Sequence, residues 1–190
     1  MGELVGAISF TDHVWLLVAG DLPSEAQRRV LDATLVAIAE HGLVPSVVAA
    51  RMTLAAAPEA LQGAVAAGIL GCGSVILGAS ENAGRFFQEV VDAHAASGGD
   101  LEAATREAIG RYRAARRAIP GYGHPLHKDF DPRARRLLEV GRETGTAGVY
   151  AEIALLVDRF LPELTGRPLK MNVSGAIPPC CSTPAIRCWP

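Results

Sequence analysis

The feature that most constrains the fold of this chain is a helical periodicity of apolar residues, interrupted at short intervals by glycine and proline. Apolar residues recur three or four positions apart in successive segments, and each segment ends at a glycine or before a proline. The sequence contains no run of alternating apolar and polar residues bounded by turns, so no strand is expected. The pattern therefore predicts an all-α fold.

Local signals predict where several helices begin and end. Ser24 and Gln27 have the spacing of a capping box, and the helix that follows is expected to close at His41 and to stop at Gly42. Pro45 is expected to be the first residue of the next helix.

Two later segments carry comparable signals. Asp100 is expected to cap a helix that ends at Pro120. The alanine- and glycine-rich segment 58–70 is expected to form a helix whose small side chains let a neighbouring backbone approach closely.

Charge and cysteine content exclude several classes of protein. A formal net charge of −2 over 190 residues gives no general attraction to nucleic acid or to an anionic membrane surface. No stretch of about twenty residues is free of charges and helix breakers, so no membrane span is expected. The start of the chain does not resemble a secretory signal. Four cysteines without metal-type spacing then favour a reducing, cytoplasmic location.

Residues 121–136, GYGHPLHKDFDPRARR, differ from the rest of this alanine- and leucine-rich chain. Gly121 and Gly123 give the backbone around Tyr122 conformational freedom, and Pro125 favours an extended conformation for His124. A loop between two helices is therefore expected to present the His124 imidazole. Asp131 is a good N-cap and Pro132 a good first helical residue, which puts Arg133 in the first turn of a helix.

These residue types in this order indicate a site for a carboxylate. Arg133 can hold a carboxylate with two hydrogen bonds, while His124 meets an adjacent carbonyl oxygen. The same pattern is also typical of a structural loop followed by a capped helix with a solvated arginine face. The residues alone leave both interpretations open.

Several segments, in order along the chain, resemble the citrate synthase family, including its short relatives related to citryl-CoA lyases. The segment GYGHPLHKDFDPRA is similar to the Gly-aromatic-Gly-His and Asp-Pro-Arg elements of that family. SFTDHVWLLVAGDLPS, EHGLVPSVVAAR and PLKMNVSGAI resemble further family segments, so the resemblance extends over residues 4–178.

The resemblance implies an all-helical, two-domain homodimer that makes or breaks a carbon–carbon bond. Its substrates would be an acyl-CoA, which is a coenzyme A thioester, and a 2-oxo acid such as oxaloacetate. No tightly bound cofactor is expected. The small domain would span residues 80–170, and the segments 1–79 and 171–190 would form part of a large domain.

The resemblance also implies roles for three residues. His124 matches the histidine that polarises the ketone under attack, Arg133 matches an arginine that binds a substrate carboxylate, and His41 matches a histidine that contacts the 2-oxo acid. For His41, a position at the negative end of a helix favours the protonated imidazole, which suits an anionic ligand. An ordinary histidine at a helix C-terminus is an equally good interpretation of that position.

Two positions depart from the family pattern. Leu77 stands where the family has the histidine that holds the enol oxygen, and Ser174 stands where it has the aspartate base. A leucine donates no hydrogen bond, and a serine without an adjacent base cannot remove a proton from carbon. Glu81, near Leu77, is a conceivable substitute base, although a solvated glutamate at a helix start is more common. The chain is therefore either an enzyme of impaired activity or a non-catalytic paralogue or fragment that binds a carboxylate or a partner subunit.

Other candidate sites are weaker. The segment GCGSVILG lacks the residues of a phosphate-binding loop, so its glycines indicate helix packing. The arginines of RYRAARR could attract the phosphates of coenzyme A, but a solvated helix face is the more common explanation. Cys180, Cys181 and Cys188 with His124 and His127 could approach a metal ion, although their spacing is not that of a zinc site.

The end of the chain, PCCSTPAIRCWP, has no helical period and holds three of the four cysteines. Family members continue here with a further helix of the large domain. One hypothesis is that the reading frame is disrupted near residue 179, and the alternative is a genuine short tail. Translation of the downstream DNA in the other frame would decide between them.

Overall fold

The structure is a computed structural model that describes residues 2–40, 42–75, 78–123, 129–167 and 169–181. These residues form nine α-helices, and within them the only β-type pairing is an isolated antiparallel bridge between Tyr122 and Met171. The prediction of an all-α fold is confirmed. The helices are α1 (Phe10–Ala19), α2 (Glu25–Ile38), α3 (Pro45–Ala56), α4 (Leu61–Leu70), α5 (Ala79–Ser97), α6 (Leu101–Ala114), α7 (Pro132–Glu143), α8 (Val149–Thr165) and α9 (Val173–Cys180). No helix in the described ranges is both long and apolar enough to cross a membrane.

Helix starts follow the capping signals of the sequence. Ser24 and Gln27 form the predicted capping box of α2, and Pro45 is in the first turn of α3. Asp131 caps α7 by accepting a hydrogen bond from the backbone N–H of Arg133. Asp100 has the N-cap position of α6, but its side chain makes no capping hydrogen bond.

The first or last residue of a helix differs from the sequence prediction in three places. Helix α2 stops at Ile38, and Gly42, although left-handed with φ 67°, comes after the helix has ended. Helix α4 begins at Leu61, after a turn in which the N–H of Ala60 donates to the carbonyl of Ala57. Helix α6 ends at Ala114, six residues before the proline at position 120.

The early end of α6 has a local cause. Arg116 adopts a left-handed conformation with φ 53°, and the N–H of Arg117 donates to the carbonyl of Tyr112 at 2.8 Å. This arrangement satisfies a terminal carbonyl of the helix and turns the chain away. A non-glycine residue in this role is uncommon, so the sequence signal at Pro120 was misleading.

The hydrophobic core lies mainly among α5–α9. Phe86 and Phe87 of α5 are fully buried, as is Phe160 of α8. The ring of Phe86 meets that of Tyr112 edge to face, with centroids 5.1 Å apart. Helix α9 packs against α5, α7 and α8, and α2 packs against α7.

Helices α3 and α4 pack against each other and, among the described residues, make no extensive contact with the remaining helices. Their close approach depends on small residues, since a Cβ added at Gly68 would lie 3.2 Å from the Cβ of Ala50. This confirms that the Ala- and Gly-rich segment serves close helix packing.

Candidate functional site

The loop before α7 is held by an extended segment that precedes α9. The N–H of Gly123 donates to the carbonyl of Lys170 at 2.7 Å, and the N–H of Asn172 donates to the carbonyl of Gly121 at 2.9 Å. Two parts of the chain about fifty residues apart are thus paired next to each other at the start of α9.

The buried side chain of Tyr122 attaches the same loop to α8. Its hydroxyl donates to the carbonyl of Ala154 in α8 at 2.7 Å. Burial, followed by the charge of Asp158, raises the pKa of Tyr122 well above its ordinary value. The hydroxyl therefore stays protonated and remains a donor, and Tyr122 has a structural role.

Two glycines allow α9 to press against this loop. Gly121 is left-handed with φ 80°, and a Cβ added to it would lie 2.4 Å from the Cα of Gly175. A Cβ added to Gly175 would lie 2.5 Å from the carbonyl oxygen of Gly121. Neither position accepts a side chain without a shift of backbone.

The first turn of α9 is capped by Asn172. Its Oδ1 accepts from the N–H groups of Ser174 at 3.0 Å and Gly175 at 3.3 Å, and its Nδ2 donates to the carbonyl of Gly123 at 2.8 Å. Ser174 therefore lies in the first helical turn, directly beside loop 121–123. Asn followed two residues later by Ser and Gly is a recognisable N-cap pattern that could have predicted this start.

Asp131 and Arg133 form the charged part of the site. Arg133 donates from Nε to Oδ1 at 3.0 Å and from Nη2 to Oδ2 at 2.9 Å, which is a side-on, two-bond ion pair. Oδ2 of Asp131 also accepts from the backbone N–H of Val173 at 3.0 Å. Asp131 is 1% exposed, whereas the Arg133 side chain is 27% exposed.

The ion pair sets the protonation state of Asp131. Burial acts to raise the pKa of Asp131, but the hydrogen bonds and charge of Arg133 and the N–H of Val173 outweigh it, so the pKa lies below its usual value. Asp131 is ionised at neutral pH. It also connects the starts of α7 and α9, a contact that the sequence analysis did not anticipate.

The structure describes some of the predicted site residues and not others. Arg133 is in the first turn of α7 as predicted, but its guanidinium is engaged by Asp131, and Ser174 lies at the adjoining start of α9. His124, His41 and Leu77 lie outside the described residues. The predicted convergence of His124 and Arg133 on one ligand therefore stays a prediction.

The weaker candidates have structural partners. Glu81 accepts from Arg85 at 2.5 Å, in an exposed pair one helical turn apart. In the arginine-rich segment 111–117, Arg111 of α6 pairs with Glu107, and the guanidinium of Arg117, after the helix end, stacks 4.1 Å from the ring centroid of Tyr112.

The cysteine-rich end is partly helical, which the sequence analysis did not expect. Helix α9 continues through Pro178 and Pro179 to Cys180, which is fully buried. Its sulfur lies 3.0 Å from the carbonyl of Ile177. Within the described part of the chain no three His, Cys, Asp or Glu side chains form a metal-binding group. His127 and Cys188 lie outside it.

With these features in place, the chain can be compared with known proteins. The model of the C-terminal domain of citrate synthase matches residues 7–177, and the chain belongs to the citrate synthase family. The structure of citryl-CoA lyase from Hydrogenobacter thermophilus is similar, with a TM-score of 0.81 and 37% identity over 95% of this chain and 67% of that chain. The resemblance drawn from the sequence motifs is thus confirmed. No curated protein sequence matches the chain.

More distant structures share the fold. Citrate synthase from Thermotoga maritima has a TM-score of 0.71 and 22% identity over 94% of this chain and 48% of its own. ATP citrate lyase from Methanothrix soehngenii, solved with citrate and coenzyme A, has a TM-score of 0.75 and 23% identity over 90% of this chain and 26% of its own. The chain thus spans only part of the length of each of these proteins.

Proposed function

We propose that this chain binds a citrate- or oxaloacetate-type carboxylate and handles it together with a coenzyme A thioester, by making or cleaving a carbon–carbon bond. The observation that carries the proposal is Arg133, oriented by a buried carboxylate at the point where the starts of α7 and α9 meet. Membership of the family and the similarity to a citryl-CoA lyase support the chemical class.

Each residue of the site would have a distinct role. Arg133 holds a substrate carboxylate with the guanidinium hydrogens that Asp131 does not use. His124, which directly follows the paired Gly123 in the sequence, polarises the ketone or the corresponding hydroxyl, and His41 contacts the 2-oxo acid. Ser174, at the start of α9, contributes no strong base.

Ser174 favours a second candidate function. A preorganised donor or general base contributes about 2 to 4 kcal/mol to lowering a barrier, so the changes at Leu77 and Ser174 would together slow the reaction by several orders of magnitude. A non-catalytic paralogue or fragment that binds a di- or tricarboxylate or a partner subunit then fits the same site.

Turnover distinguishes the two functions. Thiol release from acetyl-CoA with oxaloacetate, and formation of oxaloacetate from citryl-CoA, are measured for the wild-type protein and for His124→Ala. Turnover that the substitution abolishes supports the enzyme. Citrate binding without turnover supports the binder, and the absence of both contradicts the proposed function.

Binding of citrate tests the role of Arg133. We expect Arg133→Ala to weaken citrate binding by about 1.5 to 3 kcal/mol, because a charged hydrogen-bonded contact is lost. Arg135→Ala is the matched control, since Arg135 is in the same helix but is 72% exposed and pairs with Glu139. Isothermal calorimetry that finds equal affinities for the wild type and Arg133→Ala would remove Arg133 from the site.

The proposal includes a homodimer with coenzyme A thioester as a substrate and no tightly bound cofactor. Exposed apolar side chains on α3 and α4, such as Met52, Val65 and Leu70, support an interface there. Sedimentation velocity on the wild type and on Val65→Asp tests it: the wild type should sediment as a dimer and the variant as a monomer.

The domain division and the cellular location are parts of the same proposal. Residues 80–170 would be the small domain, and segments 1–79 and 171–190 would belong to the large one. A reducing, cytoplasmic location is supported by the thiols of Cys72 and Cys180, which form no disulfide. Limited proteolysis tests the division, which predicts first cleavage near residue 80 or 170.

A further inference from the structure

Asp131 does more than begin a helix. Its two oxygens accept four hydrogen bonds, two at Oδ1 from the N–H and Nε of Arg133 and two at Oδ2 from Nη2 of Arg133 and the N–H of Val173. A carboxylate that is 1% exposed needs such partners, because a buried charge without them is costly. Only one of these four bonds is required to cap α7.

The pairing fixes which hydrogens Arg133 can offer a ligand. A guanidinium carries five N–H donors in a rigid plane, and the side-on pair with Asp131 uses the Nε hydrogen and one hydrogen of Nη2. The edge between Nη1 and Nη2, which presents one hydrogen from each nitrogen, is the edge left for an anion. The direction of that edge is set by Asp131.

The fourth hydrogen bond relates this edge to α9. Because Oδ2 holds the N–H of Val173, the residue before Ser174, the guanidinium and the first turn of α9 are bound to one carboxylate. Without Asp131, Arg133 would lose the partner that holds it in this rotamer, and its guanidinium would no longer be fixed relative to α9.

We propose that Asp131 is a positioning residue that sets the affinity of the site for a carboxylate ligand through Arg133. The inference rests on the proposed function, since it takes Arg133 to be the group that binds the ligand. Asp131 itself does not touch the ligand.

Two opposing effects decide the direction of the change when Asp131 is replaced. Removal of a negative charge alone would favour an anionic ligand, but the charge of Asp131 is already offset by Arg133 and two backbone N–H groups. An asparagine amide would also point a donor at another donor, either in Arg133 or in Val173. Loss of orientation therefore outweighs the gain in charge, and the affinity falls.

The test is a double-mutant cycle with citrate as the probe, read by NMR titration, which reaches millimolar dissociation constants. Asp131→Asn should weaken citrate binding about tenfold when Arg133 is present. In the Arg133→Ala background the same substitution should change the affinity by less than about twofold. A merely structural role would produce the same loss in both backgrounds.

A matched control separates orientation from general damage to this part of the fold. Asp158→Asn changes a carboxylate of α8 that also holds the segment before α9, since Asp158 accepts from the N–H of Met171 at 3.4 Å and does not contact Arg133. Its citrate affinity should equal that of the wild type. If Asp131→Asn does not fold, Asp131→Ser keeps a capping oxygen for α7, has no second oxygen for the guanidinium, and should show the same tenfold loss.

The outcomes are distinguishable. If the wild type does not bind citrate, both the proposed function and this inference fail. If the wild type binds citrate and the Asp131 variants bind it equally well or more tightly, this inference alone is overturned. A loss that persists in the Arg133→Ala background, or that Asp158→Asn shares, also overturns it.

Discussion

Helices α5–α9 bury their apolar side chains, whereas α1–α4 leave many of theirs exposed. Phe86 and Phe160 are fully buried in the first region, while Met52 and Leu70 in the second are 68% and 86% exposed. The candidate site lies in the first region, where α7 and α9 start and a long-range backbone pairing fixes the loop before them. The difference teaches that the site is supported by packed helices of its own region, while α3 and α4 carry the exposed apolar side chains of the proposed interface.

The largest expected effect contrasts the two regions directly. Phe86→Ala should lower the free energy of unfolding by about 3 to 5 kcal/mol, because it leaves a cavity in the core. Val65→Ala in α4, where the side chain is 52% exposed, should change it by about 0.5 kcal/mol or less at concentrations where the protein is monomeric. Urea unfolding followed by circular dichroism measures both, and equal losses would mean that α4 is buried in solution.

The next effect concerns the contact between Gly121 and Gly175. Gly121→Ala should cost about 2 to 5 kcal/mol, the sum of a left-handed backbone and an overpacked contact. Gly145→Ala is the control, since Gly145 has φ 70° and open space around its Cβ position, and it should cost about 1 to 2 kcal/mol. Thermal unfolding compares them, and similar losses would show that α9 does not press against the loop.

Acid unfolding should separate two carboxylates. The folded-state pKa of Asp131 lies below its unfolded value, so its stabilisation is present above the unfolded value, near pH 4, and is lost as the pH falls through the folded value. Asp131→Asn should cost about 1.5 to 3 kcal/mol at pH 7 and flatten this acid limb.

Asp12 in α1 provides the comparison for that acid limb. The pKa of Asp12 is also lowered, by hydrogen bonds from the backbone and side chain of Ser9, but the Asp12 side chain is 14% exposed and that of its ionic partner Arg28 is 43% exposed, so water screens this carboxylate more than that of Asp131. Asp12→Asn should therefore leave the acid limb nearly unchanged. An equal flattening in both variants would contradict the buried pairing of Asp131.

The smallest expected effects on the free energy of unfolding concern exposed arginines on the surface of helices α5–α9. Arg106 lies 3.7 Å from the ring centroid of Phe160 and pairs with Glu163, so Arg106→Ala should cost about 1 kcal/mol. Arg85→Ala breaks only an exposed pair with Glu81 and should cost about 0.5 kcal/mol or less. Chemical denaturation in low and high salt checks both, and the Arg85 loss should vanish in high salt.

Sequence patterns predicted the local parts of this fold and missed the long-range ones. The capping box at Ser24 and the start of α7 at Asp131 depend on residues a few positions apart, and both were confirmed. The pairing of loop 121–123 with residues 170–172 joins distant segments, and no local spacing encodes it. Helix α1 was not predicted, although Ser9 and Asp12 form a capping box at its start.

The candidate site shows the same limit. The position of Arg133 followed from the Asp-Pro-Arg order, but its partner Asp131 was expected only to cap the helix. That the same carboxylate would reach Val173 depends on how α7 and α9 pack, which the sequence does not state. The roles of His124, His41 and Leu77 stay predictions from the family resemblance.

The central claim is that the outer edge of the Arg133 guanidinium, oriented by Asp131, receives a ligand carboxylate beside the start of α9. A crystal structure of the protein with bound citrate tests it most directly. The account predicts a citrate carboxylate about 3 Å from nitrogen atoms of Arg133, with the Asp131 pair intact. Citrate bound elsewhere, or an Arg133 that contacts Asp131 alone while citrate occupies another site, would contradict it.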